Sequence, residues 1–284
     1  MLVFIKGIYR FLCSRISISF YIFSGKKPWD KGYWEYKRRE IIRACSDARL
    51  LNAFAQNKPL PVNYGLRLDE RIVEYPWILS KLQSKQRGML LDAGSVLNFD
   101  FILSNPILSD RTVYIYNLAP EGVVDRLNIS YIYGDLRSTV FKDGLFDEII
   151  CVSTLEHIGT DNTFLYSSDP KSKEFAPQDF LKAIDEFKRI LKPKGKLLIT
   201  VPFGEYENGS WFQQFNLGMV NDIIKVFQGS DAQIAYYQYS ISGWQISTAD
   251  QCAHCRYFDI HKTTKLDPDH AAAARAIACI ELTE

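Results

Sequence analysis

Four short polar clusters in this chain carry groups able to do chemistry. Asp92 stands two residues before Gly94, and Ser95 and Asn98 follow it. Asn117 ends an apolar run, and Asp135 comes directly after Gly134. Ser153-Thr154-Leu155-Glu156-His157 sets a hydroxyl, a carboxyl and an imidazole within five residues. An acid or an amide offers an acceptor oxygen to ribose hydroxyls, and a carboxylate, which only accepts, suits an exocyclic amine. Gly94 permits backbone angles that a Cβ forbids and lets a ligand approach the chain closely. The imidazole of His157 titrates near neutrality and is the candidate base for a hydroxyl nucleophile.

The elements that hold these groups follow from the apolar pattern. Strands are predicted over residues 89–91, 113–116, 129–133 and 149–152, and each polar cluster lies just past one of them. The run Ile149-Ile150-Cys151-Val152 suits a strand buried on both faces. The clearest helix is predicted over residues 179–191, with Phe180, Ile184, Phe187 and Leu191 as its core stripe. Lys192-Pro193-Lys194-Gly195 stops it, and a fifth strand spans 197–201. A helix at 219–227 and strands at 234–240 and 276–282 complete the pattern. Such alternation implies an α/β fold, a Rossmann-like mostly parallel sheet of seven strands with helices on both faces. The last two strands, with little helix between them, pair as an antiparallel edge. Ligands settle at the carboxyl ends of the strands in such sheets.

Residues 1–65 read as a helical extension, and residues 66–284 as the main domain. Helical spacing over 37–51 puts Ile41, Ile42, Cys45 and Ala48 on one side, and Lys58-Pro59-Leu60-Pro61 forms a linker. In the first twenty residues Ile5, Ile8, Leu12 and Ile16 share one helical face, and Lys6, Arg10 and Ser14 the other. A basic amphipathic helix lies in a membrane interface, or packs on its own chain or on a second copy in a homo-oligomer. The expected location is cytoplasmic, with peripheral contact at the inner face of the membrane through residues 1–20. A net charge of +1 gives no reason to expect nucleic acid as a partner. The six cysteines are scattered, as buried reduced thiols are. Cys252-Ala253-His254-Cys255 offers three zinc ligands within four residues, with Asp259 and His261 nearby, but the spacing is cramped and no second cysteine pair follows at finger spacing, so the reading favoured is no metal.

From residue 69 onward the chain resembles the class I S-adenosylmethionine-dependent methyltransferases. LLDAGSVLN is similar to the family's glycine-rich first motif. YGDLRSTVFKDGLFDEIICVSTLEHIG resembles its stretch from the adenine-binding acid through the fourth strand. LKAIDEFKRILKPKGKLLITVPFG resembles its helix, proline-glycine turn and fifth strand. The resemblance implies S-adenosylmethionine as cofactor. It implies that Asp92, Gly94 and Ser95 border the methionine part and that Ser153 lies near the sulfonium. Asn117 and Leu118 would face the ribose, Asp135 the adenine amine, and Leu136 the ring edge. Two departures stand out. Val96 and Asn98 occupy glycine positions, and Asn117 replaces an acid, which loses charge-assisted strength toward a hydroxyl.

The activity expected is methyl transfer to a small-molecule or glycan acceptor at a hydroxyl, with His157 and Glu156 as catalytic candidates. The family often carries such a Glu-His pair as structure alone. The polar loop 159–177 is a candidate lid beside the methyl group. Trp211, Phe212 and Phe215 are candidate stacking residues, as is the cluster Trp29, Tyr33, Trp34 and Tyr36; packing is the alternative for both groups. A non-catalytic methyltransferase-fold scaffold is the rival reading. A nicotinamide-dependent oxidoreductase is disfavoured, because no Gly-x-Gly-x-x-Gly follows the first strand.

Overall fold

The computed structural model describes residues 14–82, 87–163, 165–166, 170, 173–263 and 265–284. Residues 1–13, with Ile5, Ile8 and Leu12 of the expected amphipathic face, lie outside them. The first described element is a helix through residues 14–23 (α1). It is followed by α2 (Tyr33–Ser46), α3 (Ala48–Ala55) and α4 (Arg71–Leu82).

The single helix expected over 37–51 is two, α2 and α3. Asp47 between them is extended, with φ −89° and ψ 105°, and its carboxylate accepts from the N–H groups of Arg49 and Leu50. A side-chain cap of that kind starts a new helix and ends the old one. Helix α4 contains Pro76, which has no N–H to offer the carbonyl of Ile72. The Tyr64 hydroxyl donates to that carbonyl instead, at 2.5 Å, so the proline costs no buried acceptor.

The sheet begins with β1 (Gly88–Ala93). The short helices α5 (Asp100–Leu103) and α6 (Pro106–Ser109) lead to β2 (Arg111–Asn117), β3 (Ile129–Tyr133) and β4 (Phe146–Val152). A 3-10 turn at Leu155–His157 and helix α7 (Phe180–Ile190) follow, then β5 (Leu191–Pro202). After these come β6 (Glu207–Asn208), β7 (Gln213–Gln214), α8 (Leu217–Phe227), β8 (Asp231–Ser240), β9 (Gly243–Ser247), α9 (Ala249–Cys252) and β10 (Ala276–Thr283).

The main sheet has eight strands in the order β3-β2-β1-β4-β5-β10-β8-β9, not the seven expected. β1 to β5 pair with one another in parallel. β10 lies antiparallel between β5 and β8, and β9 pairs antiparallel with β8 as the outer edge. The extra strand is β9. Its five residues, Gly-Trp-Gln-Ile-Ser, contain no sustained apolar alternation, and only the tight return after Ser240 brings them into pairing. The Lys-Pro-Lys-Gly segment expected as a stop lies within β5 as a bulge, where Leu191 faces Phe146 and Lys196 faces Glu148.

Apolar clusters cover both faces of the sheet. One joins α2, α3 and α4 to the side that carries Leu90, Ile150 and Ile277. The other joins α7 and α8 to the side that carries Leu91, Cys151 and Ile199. Between β2 and β4, Arg111 and Glu148, each 1% exposed, form a two-point ion pair at 2.9 and 3.3 Å. Arg111 also donates to the carbonyls of Leu82 and Ile107, both at 2.5 Å, tying α4 and α6 to the sheet. The strand order reverses direction at β1 and β4, and the crevice above that point holds the four polar clusters.

Candidate active site

The turn after β1 is built around a buried carboxylate. Asp92 is fully buried and accepts from the N–H of Val96 at 3.2 Å and of Leu97 at 2.7 Å. Burial pushes its pKa up to about 7, against those two hydrogen bonds. Gly94 has φ +114°, and a Cβ there would run into the side chain of Thr154. Ser95 also has positive φ, at 63°, and its hydroxyl donates to Glu121. With Val96 and Leu97 buried, the turn is closed by the Asp92 carboxylate where the family motif would place glycines.

At the end of β2 the Asn117 side-chain oxygen accepts from the N–H of Leu118 at 2.9 Å. The side chains of Asn117 and Asn98 both hydrogen-bond the Glu121 carboxylate, which lies among Ser95, Asn98 and Asn117. A carboxylate is therefore present beside β2 although Asn117 is an amide. The sequence signal was an acid four residues beyond the strand end, a spacing too loose to be read without the loop's path. Leu118 is 43% exposed on the crevice rim.

Past β3, Asp135 is engaged by Arg137. Nε and Nη2 of the guanidinium contact both carboxylate oxygens at 2.6–3.0 Å, and the Arg137 N–H adds 2.8 Å. Arg137 also binds Glu174 and Asp179 at 2.7 and 2.9 Å. The arginine's donated hydrogen bonds hold the Asp135 carboxyl below the usual carboxylate range against partial burial. A donor arriving at this carboxylate would share it with Arg137. Leu136 is buried beside it.

After β4, Ser153 donates to Glu74 at 2.7 Å, and Thr200 donates to the same oxygen at 2.6 Å. Glu156 is buried, and among the described residues its Oε2 has no hydrogen-bond partner. Burial raises its pKa well above the carboxylate range. His157 Nδ1 lies 2.9 Å from the Trp211 carbonyl, and its ring stacks on the Trp211 indole at 5.4 Å and 16°. A carbonyl only accepts, so Nδ1 carries the proton and Nε2 is left as an acceptor. Burial lowers the imidazole pKa to about 4.

These groups line a crevice with two halves that meet at Gly94. The narrow half, about 60 Å³, runs past Asn117, Asp135, Leu136 and His157. The wider half, about 570 Å³, runs past Ser95, Val96 and Ser153 to Arg71 and Trp34. Loop 159–177, the candidate lid, borders the narrow half through Asn162, Tyr166 and Glu174. A third cavity, about 250 Å³, shares Trp34, Lys37 and Arg71 with the wide half and continues to Trp29, Trp211 and Asp259. Of the three aromatics singled out near Trp211, Phe212 and Phe215 are buried packing residues, and Trp211 is the one on a cavity wall. Arg71 was missed in the sequence. It opens α4 in an Asp-Glu-Arg cluster whose polarity reads as a helix start, and its place beside the crevice depends on α4 packing against the sheet.

The residues fit a nucleoside with a charged tail. Gly94 and Asn117 line the narrow half, Glu121 is bound beside them to Ser95, Asn98 and Asn117, and the wide half leads to the Arg71 guanidinium, which is paired with Glu74. Among the described residues no group of three or more His, Cys, Asp or Glu is placed to hold a metal ion. The five described cysteines are free and buried.

A family described as a methyltransferase domain matches residues 108–199. The Methanocaldococcus jannaschii protein MJ0638 is 28% identical over 137 residues, 47% of this chain and 49% of that one. The chain thus spans about half the length of that relative. The YcgJ protein of Bacillus subtilis is similar in structure over 75% of this chain and 98% of its own, at 13% identity and a TM-score of 0.45. The Burkholderia thailandensis 1,6-didemethyltoxoflavin-N1-methyltransferase, solved with its substrate and S-adenosylhomocysteine, aligns over 70% of this chain and 72% of its own, at 11% identity and a TM-score of 0.39. The match to the methyltransferase-domain family runs from the approach to β2 through most of β5, across the strand ends that hold Asn117, Asp135 and Ser153.

Proposed function

We propose that this chain transfers a methyl group from S-adenosylmethionine to a hydroxyl of a small-molecule or glycan acceptor. The observation that carries the reading is the convergence of Gly94, Asn117, Asp135, Ser153 and His157 on one crevice above the strand-order reversal. The cofactor, when bound, supplies a methyl group already activated on a sulfonium, so the protein's work is alignment and exclusion of water. In this reading Gly94 and Ser95 border the methionine portion, with Asp92 holding the turn in shape. Asn117, Leu118 and Glu121 meet the ribose. Asp135 and Leu136 meet the adenine. Ser153 borders the sulfonium side.

His157 is the proton acceptor. Its Nε2 lone pair takes the proton of the acceptor hydroxyl, and the Trp211 carbonyl fixes the tautomer that leaves it free. With its pKa near 4 the ring is neutral, and so able to accept, through the physiological range. Glu156 is buried beside it, and burial raises its carboxyl pKa well above the carboxylate range. The test is a screen of hydroxyl-bearing acceptors with radiolabelled methyl donor. Label in at least one acceptor, falling about 100-fold or more in His157→Ala, supports the reading. No label in any acceptor, with S-adenosylhomocysteine still bound, overturns it. That outcome would favour the non-catalytic scaffold, for which the engagement of Asp135 by Arg137 speaks.

We also propose peripheral contact with an anionic membrane surface. Ile16, Phe20 and Phe23 lie on one face of α1 and are 69%, 56% and 89% exposed. Arg15, Arg38, Arg39 and Arg43 line an open groove beside it. Residues 1–43 hold ten basic and three acidic side chains in a chain of net charge +1. Apolar side chains within a basic surface are the pattern of an interfacial helix. Among the described residues no helix is long and apolar enough to cross a membrane.

A further inference from the structure

We infer that Cys252 and Cys255 are a peroxide-reactive dithiol, in which Cys255 is the attacking sulfur, Cys252 the resolving one, and the pair closes to an intramolecular disulfide. Neither cysteine lines either half of the crevice, so the inference stands apart from the methyltransferase reading.

The backbone sets the two sulfurs together. Cys252 is the last residue of α9, and the Cys255 N–H donates to its carbonyl at 2.9 Å, which closes a turn. Such a turn keeps its first and last Cα atoms within about 7 Å, and a disulfide spans about 4.4–6.8 Å. The side chains converge as well, since the two thiols hydrogen-bond each other. The turn is held from outside. Its Cys255 carbonyl accepts from the Glu205 N–H at 3.0 Å and from Gln214 Nε2 at 2.7 Å.

The surroundings give the two sulfurs different roles. Cys255 Sγ accepts from the Cys252 thiol and, at 3.4 Å, from Gln238 Nε2 on β8. These hydrogen bonds lower the Cys255 pKa against partial burial, and donating its proton raises that of Cys252. The thiolate, not the thiol, is the nucleophile. Cys255 is also the more open of the two, 9% exposed against 0% for Cys252, beside the exposed Ala253 and His254. So narrow an opening suits an oxidant as small as hydrogen peroxide. Burial pushes Cys45 up to about 12 and Cys151 and Cys279 well above the usual thiol range, which makes them inert by comparison.

The chemistry balances with hydrogen peroxide as the oxidant. The Cys255 thiolate attacks one oxygen, the O–O bond breaks, and the departing hydroxide takes up the proton that the thiol lost. Cys255 is then a sulfenic acid. The Cys252 sulfur attacks it, the S–O bond breaks, the S–S bond forms, and the Cys252 proton leaves on the oxygen. Two thiols have lost two electrons and two protons, and the peroxide has become two waters.

The test is peptide mapping of the full chain after graded hydrogen peroxide. Trypsin releases residues 226–256 as one peptide, which holds Cys252 and Cys255 and no other cysteine. That peptide is expected to lose two hydrogens at lower peroxide than oxidises any other cysteine, and to regain them with dithiothreitol. Limiting iodoacetamide on the untreated protein should label Cys255 at least about tenfold faster than Cys252. A 226–256 peptide that keeps both hydrogens at peroxide sufficient to oxidise free cysteine, oxidation of another cysteine first, or labelling of Cys252 as fast as Cys255 overturns the inference.

Discussion

At the residue scale, the crevice depends on a few positions that allow no substitute. Gly94 holds φ +114° with the Thr154 side chain where a Cβ would go. Gly94→Ala is expected to cost at least about 2 kcal/mol in denaturant unfolding and to abolish S-adenosylhomocysteine binding. His157 gives a pH signature. Its folded pKa, about 4, lies below the ordinary 6.5, so the unfolded chain takes up the proton first as pH falls. Its contribution to stability is present above pH 6.5 and is lost as pH falls toward 4, at no more than about 1.4 kcal/mol per pH unit. Stability measured against pH should show the wild type falling relative to His157→Asn over that window; parallel curves would contradict the neutral imidazole. Asp92, with its pKa raised to about 7, acts in the opposite sense, losing stability as pH rises from 3.8 to 7. The polar residues at strand ends were legible because each followed an apolar run. The hydrogen bonds that occupy them were not. The grip of Arg137 on Asp135 needs only a two-residue spacing, but its extension to Glu174 and Asp179 spans the loop and the start of α7.

At the element scale, five parallel strands and α7 were legible because buried strands and a helix with one apolar stripe have distinct periods. β9 was not, because its pairing comes from a turn and not from its own pattern. Neither was the break between α2 and α3, since Asp47 caps a helix whose apolar spacing continues on both sides. The Arg111–Glu148 pair shows how the strands are locked. Arg111→Met leaves a fully buried carboxylate without its partner, and unfolding should cost about 3–5 kcal/mol less. Adding Glu148→Leu should restore most of that loss. A double variant as unstable as the single one would mean that the contacts of Arg111 to Leu82 and Ile107, not the ion pair, hold α4 and α6 in place.

For the whole molecule, the extension and the sheet domain share one apolar cluster, and the extension supplies Trp29, Trp34 and Lys37 to the wall of the third cavity. Its basic, apolar outer face is expected to carry the chain onto vesicles containing anionic phosphatidylglycerol and not onto pure phosphatidylcholine. Flotation should weaken in Phe20→Ser/Phe23→Ser and in high salt. A dimer by light scattering that the same double variant dissolves would assign that face to a second copy instead. The central claim concerns the nucleoside crevice, and titration calorimetry with S-adenosylhomocysteine tests it most directly. The account expects saturable binding of the wild type, weakened at least about tenfold by Asp135→Ala and by Glu121→Ala. Absence of binding at millimolar ligand, or binding indifferent to both substitutions, would contradict it.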